Sequence, residues 1–211
     1  MYLSRVEIDV SNRQKLKKLN HLGAYHDWVE SCFPWEHKVQ ERSRKLWRVD
    51  QLNNKTYLLL VSEERPDLTK LSTYGVSGTA QSKDYSPFLN NIREGQKMNF
   101  RVVLNPVISV KEAGSERGKT KPHVTVEHQM KFLLDRSEKN GFKLEADEFR
   151  IVDRQFMDFR RKGEKTPRLS RVTYEGSLTV HNVDLFLETL SKGFGKKKAY
   201  GFGLMTVIPV E

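Results

Sequence analysis

Two features of this sequence could do chemistry. The first is Lys192-Gly193-Phe194-Gly195-Lys196-Lys197-Lys198-Ala199-Tyr200-Gly201-Phe202-Gly203-Leu204-Met205, in which four glycines and four lysines alternate with aromatic residues. Glycine lets backbone N–H groups approach an anion, lysine neutralises phosphate, and an aromatic face stacks on a base. A nucleic acid meets all three conditions, with Gly193, Gly195, Lys196, Lys197, Lys198 and Tyr200 as its contacts. The plainer alternative is a helix cap and turn carrying solvated lysines.

The second feature is a histidine. None of the six histidines, His21, His26, His37, His123, His128 and His181, pairs with another at the i, i+4 spacing of a helical metal site. No metal or other cofactor is therefore expected. No Gly-x-x-x-x-Gly-Lys-[Ser/Thr] loop or Gly-x-Ser-x-Gly elbow is present, which argues against nucleotide hydrolysis and serine chemistry. What remains is the proton chemistry of RNA, whose 2′-hydroxyl attacks the adjacent phosphate when a base takes its proton and an acid protonates the leaving 5′-oxygen. Histidine, titrating near pH 6.5, suits either role. His26 falls at the margin of a helical face beside Tyr25, where a merely packed or solvated histidine is the competing reading.

The composition agrees with a polyanionic partner. The 211 residues carry a formal charge of +10, with fifteen basic against twelve acidic residues in 1–95 and twenty-two against fifteen in 96–211. A single cysteine, Cys32, excludes an intramolecular disulfide and a multi-cysteine zinc site. With no apolar signal core or membrane-spanning run, the expected location is cytoplasmic, away from membranes.

These residues need a scaffold. Val6, Ile8 and Val10 alternate with charged residues as in a half-buried strand. Asn12 can cap a helix carrying Leu16 and Leu19, and Leu22, Tyr25, Val29 and Cys32 continue a helical apolar face to Pro34, which makes Cys32 a buried structural thiol. Residues 46–49 and 56–61 flank Asn53-Asn54, a hairpin signal. Residues 64–93 predict a short helix, an irregular strand and exposed loop. Phe100, Val102 and Leu104 begin a second strand-first unit. Residues 111–122 read as a mobile basic loop containing Lys119 and Lys121, and residues 127–140 as a helix using Met130, Leu133 and Leu134, stopped by Gly141. Two long strands then surround a basic tip with Arg160, Arg161, Lys162, Lys165 and Arg168, followed by a helix capped by Asn182 and a last strand. The second half spells β-α-β-β-α-β and the first repeats it less clearly. The expected fold class is thus α+β, two tandem ferredoxin-like (RRM-like) βαββαβ domains, residues 1–93 with the histidine helix and 94–211 with the basic hairpin and glycine loop.

Lys198-Ala199-Tyr200-Gly201-Phe202-Gly203 loosely matches the aromatic signature of an RNA-recognition motif, which supplies the rival reading of a non-catalytic RNA-binding protein. Four segments together, residues 1–6, 26–34, 100–107 and 193–204, resemble the CasE-type CRISPR-associated endoribonucleases. The resemblance implies metal-independent cleavage of the CRISPR repeat RNA stem-loop to 2′,3′-cyclic phosphate and 5′-hydroxyl ends. It implies that His26, seven residues before Phe33-Pro34, is catalytic. A tyrosine that assists in some members is replaced here by Gly23, leaving Tyr25 as a possible substitute. The resemblance further implies that the basic hairpin enters the groove of the stem and that the protein keeps its product as it joins the other subunits of a type I-E Cascade complex.

Alanine at Arg160, Arg161, Lys162, Lys165 and Arg168 is expected to weaken binding to a repeat stem-loop, each lost phosphate contact flattening the slope of log affinity against log salt by roughly 0.7 to 0.9. Filter binding across a salt series measures it, and an unchanged slope identifies a solvated surface loop.

Overall fold

The structure is a computed structural model that describes residues 1–36, 42–110, 118–158 and 168–210. Contacts divide the chain into two compact units, Met1–Ile92 with Ser191–Gly193 and Lys197–Leu204, and Arg93–Leu190 with Phe194–Lys196 and Met205–Glu211.

The first unit runs β1 (Tyr2–Glu7), α1 (Arg13–Lys18), α2 (Leu22–Ser31), β2 (Lys45–Leu52), β3 (Lys55–Ser62), α3 (Leu68–Leu71), β4 (Gln81–Asp84) and α4 (Ser86–Asn90). Its antiparallel sheet has the order β2-β3-β1-β4, that of the ferredoxin-like fold. Local chemistry explains the breaks between elements. The Asn12 side chain accepts the N–H groups of Gln14 and Lys15 and starts α1, and His21 Nδ1 accepts the Ala24 N–H at 3.1 Å and starts α2. Asn53 and Asn54, at φ of 50° and 61°, turn the β2–β3 hairpin, as residues that tolerate left-handed backbone can. β1 stops before the predicted alternation does: Ile8 keeps one backbone hydrogen bond to the Thr56 carbonyl at 2.7 Å and an isolated bridge to Gly75, and Val10 is 50% exposed because the chain has already turned toward α1.

Cys32 follows α2 fully buried, its thiol directed at the Trp28 carbonyl at 3.3 Å. Burial foremost, with the Asp67 carboxylate beside it, pushes the thiol up to about 12, so it is a packing group at neutral pH.

The second unit runs β5 (Lys97–Leu104), β6 (Val107–Val110), β7 (Lys119–Pro122), α5 (Val126–Ser137), β8 (Phe142–Lys143), β9 (Phe149–Asp158), β10 (Arg168–Val180), α6 (Val183–Lys192) and β11 (Met205–Pro209). Its main sheet is β11-β5-β10-β8, with β9 also paired to β10, so the ferredoxin-like order recurs and β8 and β9 share the outer position. Two expectations need correction. Residues 119–122 are a strand, pairing Ile108 with Lys121 and Ser109 with Thr120; with Lys119, Thr120 and Lys121 all exposed, the strand has no apolar face to announce it in sequence. The buried face of α5 is Gln129, Phe132 and Leu133, because the Tyr174 hydroxyl from β10 donates to the Gln129 carbonyl and sets the rotation of the helix. Arg160, Arg161, Lys162 and Lys165 lie outside the described residues, and Arg168 opens β10 opposite Asp158. Among the described residues no helix is long and apolar enough to cross a membrane.

Gly141 does more than end a helix. At φ +82° it lies against the backbone of Asn182, Leu185 and Phe186, with no room for a Cβ, whereas Gly95, at φ +77°, has nothing within 4 Å. Gly95→Ala should therefore cost only left-handed strain, about 1–2 kcal/mol, and Gly141→Ala should exceed it by roughly 1–3 kcal/mol of overpacking. Urea denaturation of both variants checks this, and equal shifts would contradict the close approach.

Candidate active site

Helix α2 offers two neighbouring side chains to different surroundings. Tyr25 stacks on Trp47 of β2, with centroids 5.6 Å apart and planes 17° apart, and lies 6.3 Å from Trp28. Burial raises its phenol above the ordinary tyrosine value. His26, one residue on, is half-buried, and its ring lies 5.7 Å from that of Tyr200.

Tyr200 arrives there through its own segment's attachment to the first unit. The Trp47 indole N–H donates to the Ala199 carbonyl at 3.0 Å. The adjacent Arg48, 1% exposed, donates Nη1 to the Leu204 carbonyl at 2.9 Å while Nε and Nη2 hold the Asp50 carboxylate at 2.8 and 2.7 Å. A Cβ on Gly201 would enter the Trp47 ring, and one on Gly193 would meet the Leu46 side chain. Both glycines are at positive φ, so backbone conformation and packing together require them. Residues 197–204, grouped with the second half from sequence, therefore pack with the first unit, because the aromatic and arginine side chains that receive them are on β2.

A cavity of about 270 Å³ opens beside His26, walled by Val29 and Glu30 of α2, Trp47, Ala199 and the lead-in to β2. Lys45 sits in that wall with its side chain 1% exposed, paired with Glu36, 3.6 Å from Glu30 and 4.8 Å above the Phe33 ring. Burial works to raise the Glu36 carboxyl, but hydrogen bonds from Lys45 and Ser43 outweigh it and hold the group below its ordinary value. Exposed Arg42 and Arg44 complete the rim. Sequence reading missed both, although they sit in the charge-dense run Glu41-Arg42-Ser43-Arg44-Lys45 just before a strand.

Of the residues expected to bind or react, Tyr25, His26, Gly193, Lys197, Lys198 and Tyr200 fall in the first unit. Lys119, Lys121, Arg168, Gly195 and Lys196 fall in the second, where Gly195 and Lys196 are exposed. Lys198 Nζ donates to the Lys192 carbonyl at 2.9 Å. Among the described residues no three His, Cys, Asp or Glu side chains gather as a metal site would need.

The family model for CRISPR associated protein matches residues 1–209. The CRISPR-associated endoribonuclease Cse3 of Thermus thermophilus is 30% identical over 221 residues, covering 99% of this chain and all of that protein. The structure of Thermus thermophilus Cse3 bound to an RNA representing a pre-cleavage complex superposes with a TM-score of 0.79 at 26% identity, covering 99% of this chain and 98% of that one. A chain of a CRISPR RNA-guided surveillance complex in its pre-nicking state shares the fold, with a TM-score of 0.68 at 19% identity over the full length of both chains.

The buried Lys45–Glu36 pair predicts a pH-dependent stability. Because the folded-state Glu36 carboxyl is depressed, its contribution is fully present above the ordinary carboxylate value of about 4.3 and disappears as pH falls through the depressed value. Lys45→Met, which leaves the carboxylate without its cation, should cost on the order of 3 kcal/mol at pH 7. That deficit should narrow as pH falls, as the unpaired Glu36 of the variant takes up a proton before the wild-type carboxyl does. Urea denaturation at pH 7.5 and 3.5 tests it, and a constant deficit would show that Lys45 acts by packing alone.

Proposed function

The chain belongs to the family of CRISPR-associated proteins, and on that premise we propose that it is a CasE-type endoribonuclease that processes CRISPR RNA. It cuts the repeat stem-loop without a metal ion. The observation that carries this reading is the half-buried His26 on the wall of a cavity rimmed by arginines and flanked by the Tyr200 ring. In the reaction, the 2′-oxygen bonds to phosphorus as it loses its proton, and the bond from phosphorus to the 5′-oxygen breaks as that oxygen gains one. The products are a 2′,3′-cyclic phosphate and a 5′-hydroxyl. His26 serves as the base or the acid in this exchange. Tyr25, stacked on Trp47, assists by holding α2 in place, while Tyr200 offers a ring on which a base beside the cut can stack.

The domain of residues 1–93 carries the catalytic helix, and residues 94–211 supply most of the RNA grip. That grip comes from the basic hairpin with Arg160, Arg161, Lys162, Lys165 and Arg168, together with Lys119, Lys121, Gly195 and Lys196. Gly193, Lys197 and Lys198 shape the loop that presents Tyr200. The enzyme keeps its product and assembles with the other subunits of a type I-E Cascade complex in the cytoplasm, where the precursor RNA is made.

Removing the imidazole should slow chemistry and spare binding. His26→Ala is expected to hold the repeat stem-loop with near wild-type affinity and to cut it about 10²- to 10⁴-fold more slowly. Wild type should cut at full rate in EDTA, and a single 2′-deoxy substitution upstream of the scissile phosphate should abolish cleavage while preserving binding. Cleavage of the deoxy substrate, or its rescue by magnesium, would refute internal attack; binding without cleavage by wild type would favour the non-catalytic RNA-binding reading.

A further inference from the structure

We propose that Arg42 and Arg44 form the clamp for the scissile phosphate, an assignment that rests on the ribonuclease reading above. Both line the cavity that His26 lines, and both are exposed. The third cation of that wall is already committed: Lys45 is buried and neutralised by Glu36 and Glu30. With Glu30 opposed by Lys45, the two guanidinium charges dominate the opening, and among the described residues neither has an ion-pair or hydrogen-bond partner.

The backbone that carries them is held in place. Ser43, between them, donates its hydroxyl to Glu36 Oε1 at 2.5 Å and its backbone N–H to the same oxygen at 3.3 Å. Glu36 is in turn fixed by the buried Lys45 ammonium. The Glu36–Lys45 pair thus fastens the peptide from which both arginines project, so they are presented at the cavity before any ligand arrives.

Attack by the 2′-oxygen raises the negative charge on the non-bridging phosphate oxygens as the new O–P bond forms and the bond to the 5′-oxygen lengthens. A planar guanidinium with paired N–H donors matches two such oxygens better than an ammonium does. Donors already placed where charge develops accelerate the step, since little reorganisation is needed in the transition state. Proton transfer remains with His26, and the arginines stabilise charge.

The test is single-turnover cleavage of a labelled repeat stem-loop by saturating Arg42→Gln, Arg44→Gln and the double variant, alongside their affinity for the uncleavable 2′-deoxy stem-loop and their thermal midpoints. Each single variant should cut about 10²-fold more slowly, bind the deoxy stem-loop within about tenfold of wild type, and melt as wild type does. Arg44→Lys should recover part of the rate, having kept the charge and lost the fork. Wild-type cleavage by the double variant, a rate loss matched by equal loss of affinity, or a lowered melting midpoint in the Gln variants would each overturn the clamp. If His26→Ala is inert while the double Gln variant cuts normally, the clamp alone falls; if wild type binds the stem-loop and leaves it whole, the ribonuclease reading falls and the clamp with it.

Discussion

Four consecutive residues of an edge strand, Lys45 to Arg48, are buried, and the candidate site depends on what buries the last three. Leu46, Trp47 and Arg48 are each at most 2% exposed, although β2 ends its sheet and alternation along a strand should turn every second side chain outward. Each is covered by a feature of residues 193–204: Gly193 lies against Leu46, Gly201 against Trp47, and the Leu204 carbonyl accepts from Arg48. A buried guanidinium is tolerable only when paired and hydrogen-bonded, and Asp50 with that carbonyl provides both. The glycines are therefore part of the scaffold. Side chains at 193 or 201 would displace the loop that sets Tyr200 beside His26.

The charges around the cavity fall into two kinds. Lys45 and Glu36 form a buried pair that Ser43 joins, with half-buried Glu30 at 3.6 Å from the same ammonium, and such a pair positions backbone. Arg42 and Arg44 stand on the same short segment but outside it, exposed at the opening. Buried neutralised charge beside exposed charge suits a polyanion site: the first kind gives rigidity, and the second gives attraction where the ligand enters.

The ferredoxin-like order occurs twice in this chain, yet the two copies carry different equipment. The first copy holds the histidine, the stacked Tyr25 and Trp47, and the cavity. The second holds the extra ribbon of β6 and β7 and the long β9–β10 pair. Repeating a fold does not repeat its chemistry, because chemistry resides in the side chains that each copy places at its surface.

Local pattern was enough to determine much of this protein. The Asn12 cap, the Asn53-Asn54 turn, the buried Cys32 and the ferredoxin-like core order of the second half, without its β6–β7 ribbon and short β8, all follow from neighbours within a few residues, and the spread-out resemblance points to the family and to His26. Where the pattern was ambiguous the outcome differed: β1 ended early because Val10 belongs to a turn, and β7 carried no apolar face. Only the tertiary structure decided that residues 197–204 pack with the first unit, that Tyr200 is the ring beside His26 while Tyr25 turns to Trp47, and that Arg42 and Arg44 share the histidine's cavity. The reason is distance along the chain. The bond from Trp47 to Ala199 joins residues 152 positions apart, and no periodicity or cap signal extends that far.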